Sequence, residues 1–110
     1  MKGTNLGEFE ELVLLTVAAL MKEAYSVAIC DDLTEHTRRR VKLGVVHAVL
    51  NRLEKKGLVK SCLGEPTKAR GGKRKRFYTV SAAGKAALTH ARGMREQLYD
   101  RIPGVSWKNA

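Results

Sequence analysis

The stretch from Leu43 to Val80 most constrains the fold, because its hydrophobic period changes there from that of a helix to that of a strand. Val46, Val49, Leu50 and Leu53 recur at three- and four-residue steps, the spacing of one buried helix face, which predicts a helix from about Leu43 to Lys56. Gly57 follows as the residue suited to the left-handed conformation that closes a helix, with Leu58 as its hydrophobic partner. Leu58–Leu63 and Arg76–Val80 then read as two antiparallel strands, and Gly64, Pro66, Gly71 and Gly72 mark the loop between them. The other face of the helix carries Gly44, His47, Ala48, Asn51 and Lys55, which are small or polar and offer little to a core.

Helices are expected on both sides of this unit. In Glu8–Met21, Phe9, Leu12, Val13, Thr16, Val17 and Leu20 share one face, and Leu14, Leu15 and Ala18 widen it. A helix so apolar is expected to pack on two sides, one of which can be another subunit. Ser26 is the expected cap of a second helix ending near Thr37, with Ile29 and Leu33 inward and Asp31, Asp32 and Glu35 outward. Ser81 should cap a last helix running to about Ile102, where Pro103-Gly104 stops it. Its Ala83, Ala87, Ala91, Met94, Leu98 and Ile102 form a seam of coiled-coil type. Gly93 weakens that helix, so the seam is expected to need a partner.

Charge is where composition enters. The chain has 110 residues and a formal net charge of +10, which suits one small domain facing a polyanion. Residues 1–36 hold two basic side chains against seven acidic ones, whereas residues 37–110 hold 19 against four. The densest cluster, Lys68 to Arg76, has six cations in nine residues, and Arg38, Arg39, Arg40 and Lys42 make a second. The longest apolar run, Leu12–Met21, is too short to span a bilayer, and the N-terminus lacks the form of a signal peptide. With two cysteines only, Cys30 and Cys62, a reducing cytoplasm is expected. His36, His47 and His90 are not at metal-ligand spacing, and no nucleophile–base or paired-carboxylate arrangement stands out. Neither an enzyme nor a metal or cofactor site is expected.

The order helix, helix, helix, strand, basic loop, strand, helix predicts a mainly α protein with a small β-hairpin: a winged helix-turn-helix with an added C-terminal dimerisation helix. Residues 1–81 would be the DNA-binding part, with its recognition helix at about 43–56 and its wing at about 58–80. Residues 82–110 would supply the dimerisation helix and a short tail, within one compact unit. The second helix of such a pair enters the major groove. Base-facing candidates are Lys42, Gly44, Val45, His47, Ala48 and Asn51; Asn can pair bidentately with adenine. Arg52, Arg38, Arg39 and Arg40 are better placed for phosphates, and Lys68, Arg70, Lys73, Arg74, Lys75 and Arg76 would clamp the backbone from the wing. Phe9, Leu12, Ala87, Ala91, Met94, Leu98 and Ile102 are the dimerisation candidates. A non-specific nucleic-acid-binding winged helix and a protein-interaction module are the alternatives.

Four segments carry a family resemblance: Leu6–Leu15, Ala24–Ile29, Leu43–Leu58 and the Arg70-Gly-Gly-Lys-Arg-Lys-Arg-Phe-Tyr78 wing, followed by Ser81-Ala-Ala-Gly84. Over roughly residues 6–90 the chain resembles the PadR-like transcriptional regulators of bacteria, in their short branch. The resemblance implies a homodimeric repressor on a palindromic operator, released by a small molecule or a stress signal. Partners would be double-stranded DNA, a second copy of the chain and a small effector, with no membrane. Two residues depart from the family's habit, His47 where Tyr is common and Ser26 where Gly is common. The first bears on operator preference.

Overall fold

The computed structural model describes residues 6–66 and 73–104. Along the chain run α1 (Glu8–Leu20), one turn of 3-10 helix (Met21–Glu23), α2 (Ser26–Thr37), α3 (Leu43–Lys55), β1 (Val59–Pro66), β2 (Arg74–Val80) and α4 (Ala82–Asp100). β1 and β2 pair antiparallel, from Val59 opposite Val80 to Leu63 opposite Arg76, and a bulge then brings Pro66 opposite Arg74. This is the winged helix-turn-helix order expected from the sequence.

The core forms where the apolar stripes of the helices meet. Val13, Leu14 and Val17 of α1 pack with Ile29 and Leu33 of α2 and with Val46, Val49, Leu50 and Leu53 of α3. Leu58, Val59, Tyr78 and Ala87 close it from the hairpin and α4. Each fully buried Leu or Ile contributes about 1.5–3 kcal/mol by leaving water, so this stripe holds α3 in place. Cys30 is buried, and its Sγ donates to the Val41 carbonyl at 3.2 Å, tying α2 to the α2–α3 turn. Burial, with Asp31 nearby, pushes this thiol's pKa up.

The end of α3 is closed as its sequence predicts. Gly57 has φ +76°, its N–H donates to Glu54 O at 2.9 Å, and Leu58 N–H donates to Leu53 O at 2.9 Å. Those are the two bonds of a Schellman motif. Ser81 then joins this corner to α4. Its N–H donates to Leu58 O at 3.0 Å, its hydroxyl donates to Gly57 O at 2.6 Å, and its Oγ accepts from Gly84 N at 3.0 Å. The backbone approach is so close that a Cβ on Gly84 would overlap the Leu58 carbonyl oxygen and lie 2.7 Å from Val80 Cγ1.

Several local expectations are corrected. α2 is capped by Tyr25 rather than Ser26, without a side-chain cap bond. Tyr25 is held extended by a β-bridge to Phe77, so Ser26 already stands inside the helix. α1 stops at Leu20, and Met21 adopts φ +52° as the chain turns toward α2. Both strands extend further into the wing than their hydrophobic alternation indicated, because cross-strand hydrogen bonding does not require apolar side chains.

The seam of α4 is also divided. Ala87 is fully buried and Ala91 nearly so within the protomer, so neither offers surface to a second chain. Phe9 and Leu12 are partly buried and pack against the protomer's own core. What α4 exposes is its second half, with Met94 48%, Leu98 54% and Tyr99 55% accessible; the helix ends at Asp100, short of the expected Ile102, which lies just beyond it and is 37% accessible. Beside it on α1, Leu15 is exposed.

Gly84→Ala should lower stability by about 1–3 kcal/mol, the cost of overpacking a tight contact against backbone. Urea denaturation monitored by circular dichroism measures this; an unchanged midpoint would show that α4 does not sit on the Leu58 corner as described.

Candidate nucleic-acid interface

Lys42 is the extended N-cap of α3, and Arg38 ends α2 with φ +56°, its N–H donating to Thr34 O at 3.0 Å. Between them Arg39 and Arg40 are exposed, with Arg39 Nη1 4.0 Å from Glu8 Oε1. On α3 itself Gly44, Val45, His47, Ala48 and Asn51 are all exposed. Nothing lies within 4 Å of where a Cβ on Gly44 would stand, so the helix can be approached closely there.

Across from α3, the wing is anchored to the start of α2. Tyr78 N–H donates to Ala24 O at 2.8 Å. The Tyr25 and Phe77 rings meet edge to face at 5.6 Å, and Lys75 Nζ stands 4.1 Å from the centre of the Tyr25 ring. Gly64 leaves room for the Phe77 ring, which a Cβ there would meet at 2.6 Å. Arg74 Nε donates to Gly64 O at 2.8 Å, fixing its stem along the hairpin. Arg76 Nη1 donates to Ser61 Oγ at 3.1 Å, and that hydroxyl donates to Glu54 of α3 at 2.7 Å. An open groove of roughly 670 Å³ results, walled by Tyr25–Val27 of α2, by His47, Asn51 and Glu54 of α3, and by Arg74–Arg76 with Tyr78 of β2.

The structure thus brings His47, Asn51, Arg74, Lys75 and Arg76 to one groove. Lys73 is exposed at the start of the second wing segment. Lys68 and Arg70 lie outside the described residues. Arg52 is placed differently from its expectation: it turns to the α1 side of α3, where its Nε is 3.2 Å from Glu10 Oε2. A smaller pocket on that side, roughly 250 Å³, lies between Phe9, Val45 and residues 39–42. Tyr25, Phe77, Ser61 and Glu54 were not marked by the sequence. An aromatic before α2 and another alternating with cations on β2 are visible in it, but their pairing requires the hairpin to fold back.

Glu10 is the strongest electrostatic feature of this region. Its side chain is only 10% exposed and accepts from Gly7 N at 2.9 Å, from Lys56 Nζ at 3.1 and 3.0 Å, and from Arg52 Nε. Burial by itself would raise its pKa, but these donors outweigh burial and hold the carboxyl below its ordinary value of 4.5. The neighbouring Glu11 meets Arg95 of α4 at 2.7 Å. Two consecutive acids therefore connect α1 to the end of α3 and to α4.

Among the described residues, no group of three or more His, Cys, Asp or Glu is arranged to hold a metal ion, and no helix is long and apolar enough to cross a membrane. A helix with a small, polar outer face beside a cationic hairpin defines a winged-helix nucleic-acid-binding module.

Comparison with known proteins refines that class. The model of the transcriptional regulator PadR-like family matches residues 14–90. The chain belongs to this family; it is a transcription regulator and not an enzyme. An uncharacterised protein of Lysinibacillus sphaericus is 31% identical over 85 residues, covering 76% of this chain and 73% of that one. The fold is similar to that of a PadR-like transcription factor from Bacteroides fragilis, with a TM-score of 0.72, 22% identity and 84% of each chain covered. It is also similar to a PadR family regulator from Clostridium difficile R20291, with a TM-score of 0.68, 20% identity, and 84% and 92% of the two chains covered.

Glu10→Gln should cost about 1–2 kcal/mol at neutral pH, at the lower end for a charged hydrogen-bonding group because Arg52 is largely screened by water. Since the folded carboxyl titrates below its unfolded value, its contribution is complete above pH 4.5 and fades as the pH falls below that. Denaturation midpoints at a series of pH values should show a smaller acid loss in the variant than in the parent.

Proposed function

We propose that this chain is a homodimeric, sequence-specific DNA-binding repressor acting on a palindromic operator. The observation that carries the reading is the groove shared by α3 and β2. Hydrogen-bonding side chains without aliphatic bulk stand on one wall, and cations that read phosphate but not sequence stand on the other. Asn51 and His47, with Lys42, Gly44, Val45 and Ala48, are the base-reading surface; Arg74, Lys75 and Arg76 supply salt-sensitive affinity, as do Arg38, Arg39, Arg40, Lys73 and the wing residues Lys68 and Arg70. The repressor role, and release by a small molecule or a stress signal, rest on family membership. Such a protein works in the bacterial cytoplasm.

The second copy is argued from α4. Met94 and Leu98 stand one turn apart on its exposed second half, Ile102 follows just past its end, and Tyr99 shares a pocket with the α1 residue Leu15. Pairing these faces covers apolar surface that a single chain leaves in water. Two recognition helices so linked would lie roughly 34 Å apart, one turn of duplex.

Footprinting on the DNA flanking the protein's own gene tests the reading; a symmetric protected site is expected, and uniform protection would favour a non-specific architectural role. On that site Asn51→Ala should cost ~1–3 kcal/mol and relax discrimination, whereas neutralising Arg74 and Lys75 should weaken all sequences alike. Affinity should fall about 10³–10⁵-fold from 50 to 200 mM salt if six to ten phosphates are engaged. For the dimer, Leu98→Asp should yield monomers in sedimentation velocity, with the helical circular dichroism signal retained.

A further inference from the structure

Two cations at the C-terminal end of α3, Arg52 and the C-cap Lys56, already share one carboxylate inside the protein. With about 100° of rotation per residue, Gly44, Asn51 and Lys55 stand opposite the buried stripe of α3, and Arg52 lies on the rim of that exposed face, one turn beyond Ala48. A long cationic side chain at such a rim can follow a phosphate backbone. Here both Arg52 and its neighbour Lys56 turn back to Glu10. The burial on the two sides is unequal: the Glu10 side chain is 10% exposed, while Arg52 is 57% and Lys56 32% exposed. Gly7 N–H holds the carboxylate at its base. The anion is therefore fixed by the fold, and the cations come to it.

The exposed face of α3 has an acid at each edge. Glu54 stands on the wing side and is engaged by Ser61, whose hydroxyl also receives Arg76. Glu10 stands on the α1 side and takes two full charges. Glu8, two residues earlier and on another side of α1, lies 4.0 Å from Arg39. Of the acids of the first helix, Glu10 and the largely exposed Glu8 thus stand near cations at the two ends of α3, while Glu11 pairs with Arg95 of α4.

We propose that Glu10 is an internal stand-in for a DNA phosphate, withdrawing Arg52 and Lys56 from the polyanion and so limiting sequence-independent binding. This rests on the DNA-binding reading above and adds to it a determinant of general, salt-dependent affinity. Contacts to phosphate strengthen binding to every sequence equally, so cations withheld lower affinity for all sequences together and keep sequence-independent binding weak in absolute terms. Glu10 acts through other residues and is a positioning residue; it touches no base.

The test uses the full chain and a random-sequence duplex, with affinity read by fluorescence anisotropy over a range of sodium chloride concentrations. Glu10→Gln should steepen the slope of log K against log salt by about one to two units, and tighten binding roughly ten- to hundredfold near 0.1 M salt. Adding Arg52→Ala and Lys56→Ala in that background should remove the gain. With Glu10 intact, Arg52→Ala should leave the slope unchanged. A reduction of about one unit there would overturn the proposal, because Arg52 would then already be on phosphate. That single variant keeps the proposal open to refutation even where Glu10→Gln fails to fold. A folded Glu10→Gln protein with the parental slope would equally overturn it while leaving the DNA-binding reading intact. Absence of any salt-dependent duplex binding by the parent protein would overturn both.

Discussion

The corner at Gly57 and Leu58 is the point on which the rest of the molecule depends. Three elements begin or end there, and each uses backbone groups of the same few residues. The Leu53 carbonyl takes the Leu58 N–H, while the Leu58 carbonyl takes the Ser81 N–H. Ser81 in turn caps α4, and Gly84 lets that helix settle onto the Leu58 backbone. A helix end normally leaves carbonyls unsatisfied. Here those groups are used to set where the hairpin leaves α3 and where α4 arrives. The angle between recognition helix and wing, and so the width of the groove between them, follows from this arrangement.

Electrostatics acts on a second level, between elements already packed. The net charge of +10 describes the molecule seen from afar, but the acids near its N-terminus have specific partners. Glu10 binds α3 and Glu11 binds α4, so that α1 joins the two helices by ionic contacts at consecutive residues. Such pairs are partly shielded from water on the acid side and open to it on the basic side. They hold orientation more than they add stability, since the exposed cation recovers much of its hydration when the pair breaks. A regulator gains from that, because a cation that can be exchanged between a carboxylate and a phosphate adjusts general affinity without altering the base-reading face.

Legibility in the sequence followed the range of the interactions concerned. The α3 stripe, the left-handed Gly57, the Ser81 cap and the inward positions Ile29 and Leu33 depend on neighbours within a turn or two, and all are found where their spacing indicated. Tyr25 displaced Ser26 as the cap because of a bridge to Phe77, which lies far along the chain. Ala87 and Ala91 matched a seam for a partner chain equally well as a face for the protomer's own core. Periodicity reports that a face is buried without saying against what, and the small size of alanine suits close helix packing in either case.

The sequence by itself determined the class of this protein: a helix with one apolar and one small polar face, delivered into a cationic hairpin, within a chain carrying the segments of the PadR-like family. Those are properties of period, composition and order, which survive without coordinates. Only the tertiary structure decided which cations face outward. Arg52 and Arg74 are equally charged and both adjoin the groove-forming elements, yet Arg52 is turned toward a buried carboxylate and Arg74 lies along the wing. That difference comes from α1 packing across the end of α3. It brings Glu10 within hydrogen-bonding distance of a residue 42 positions away, and no local pattern encodes such a contact.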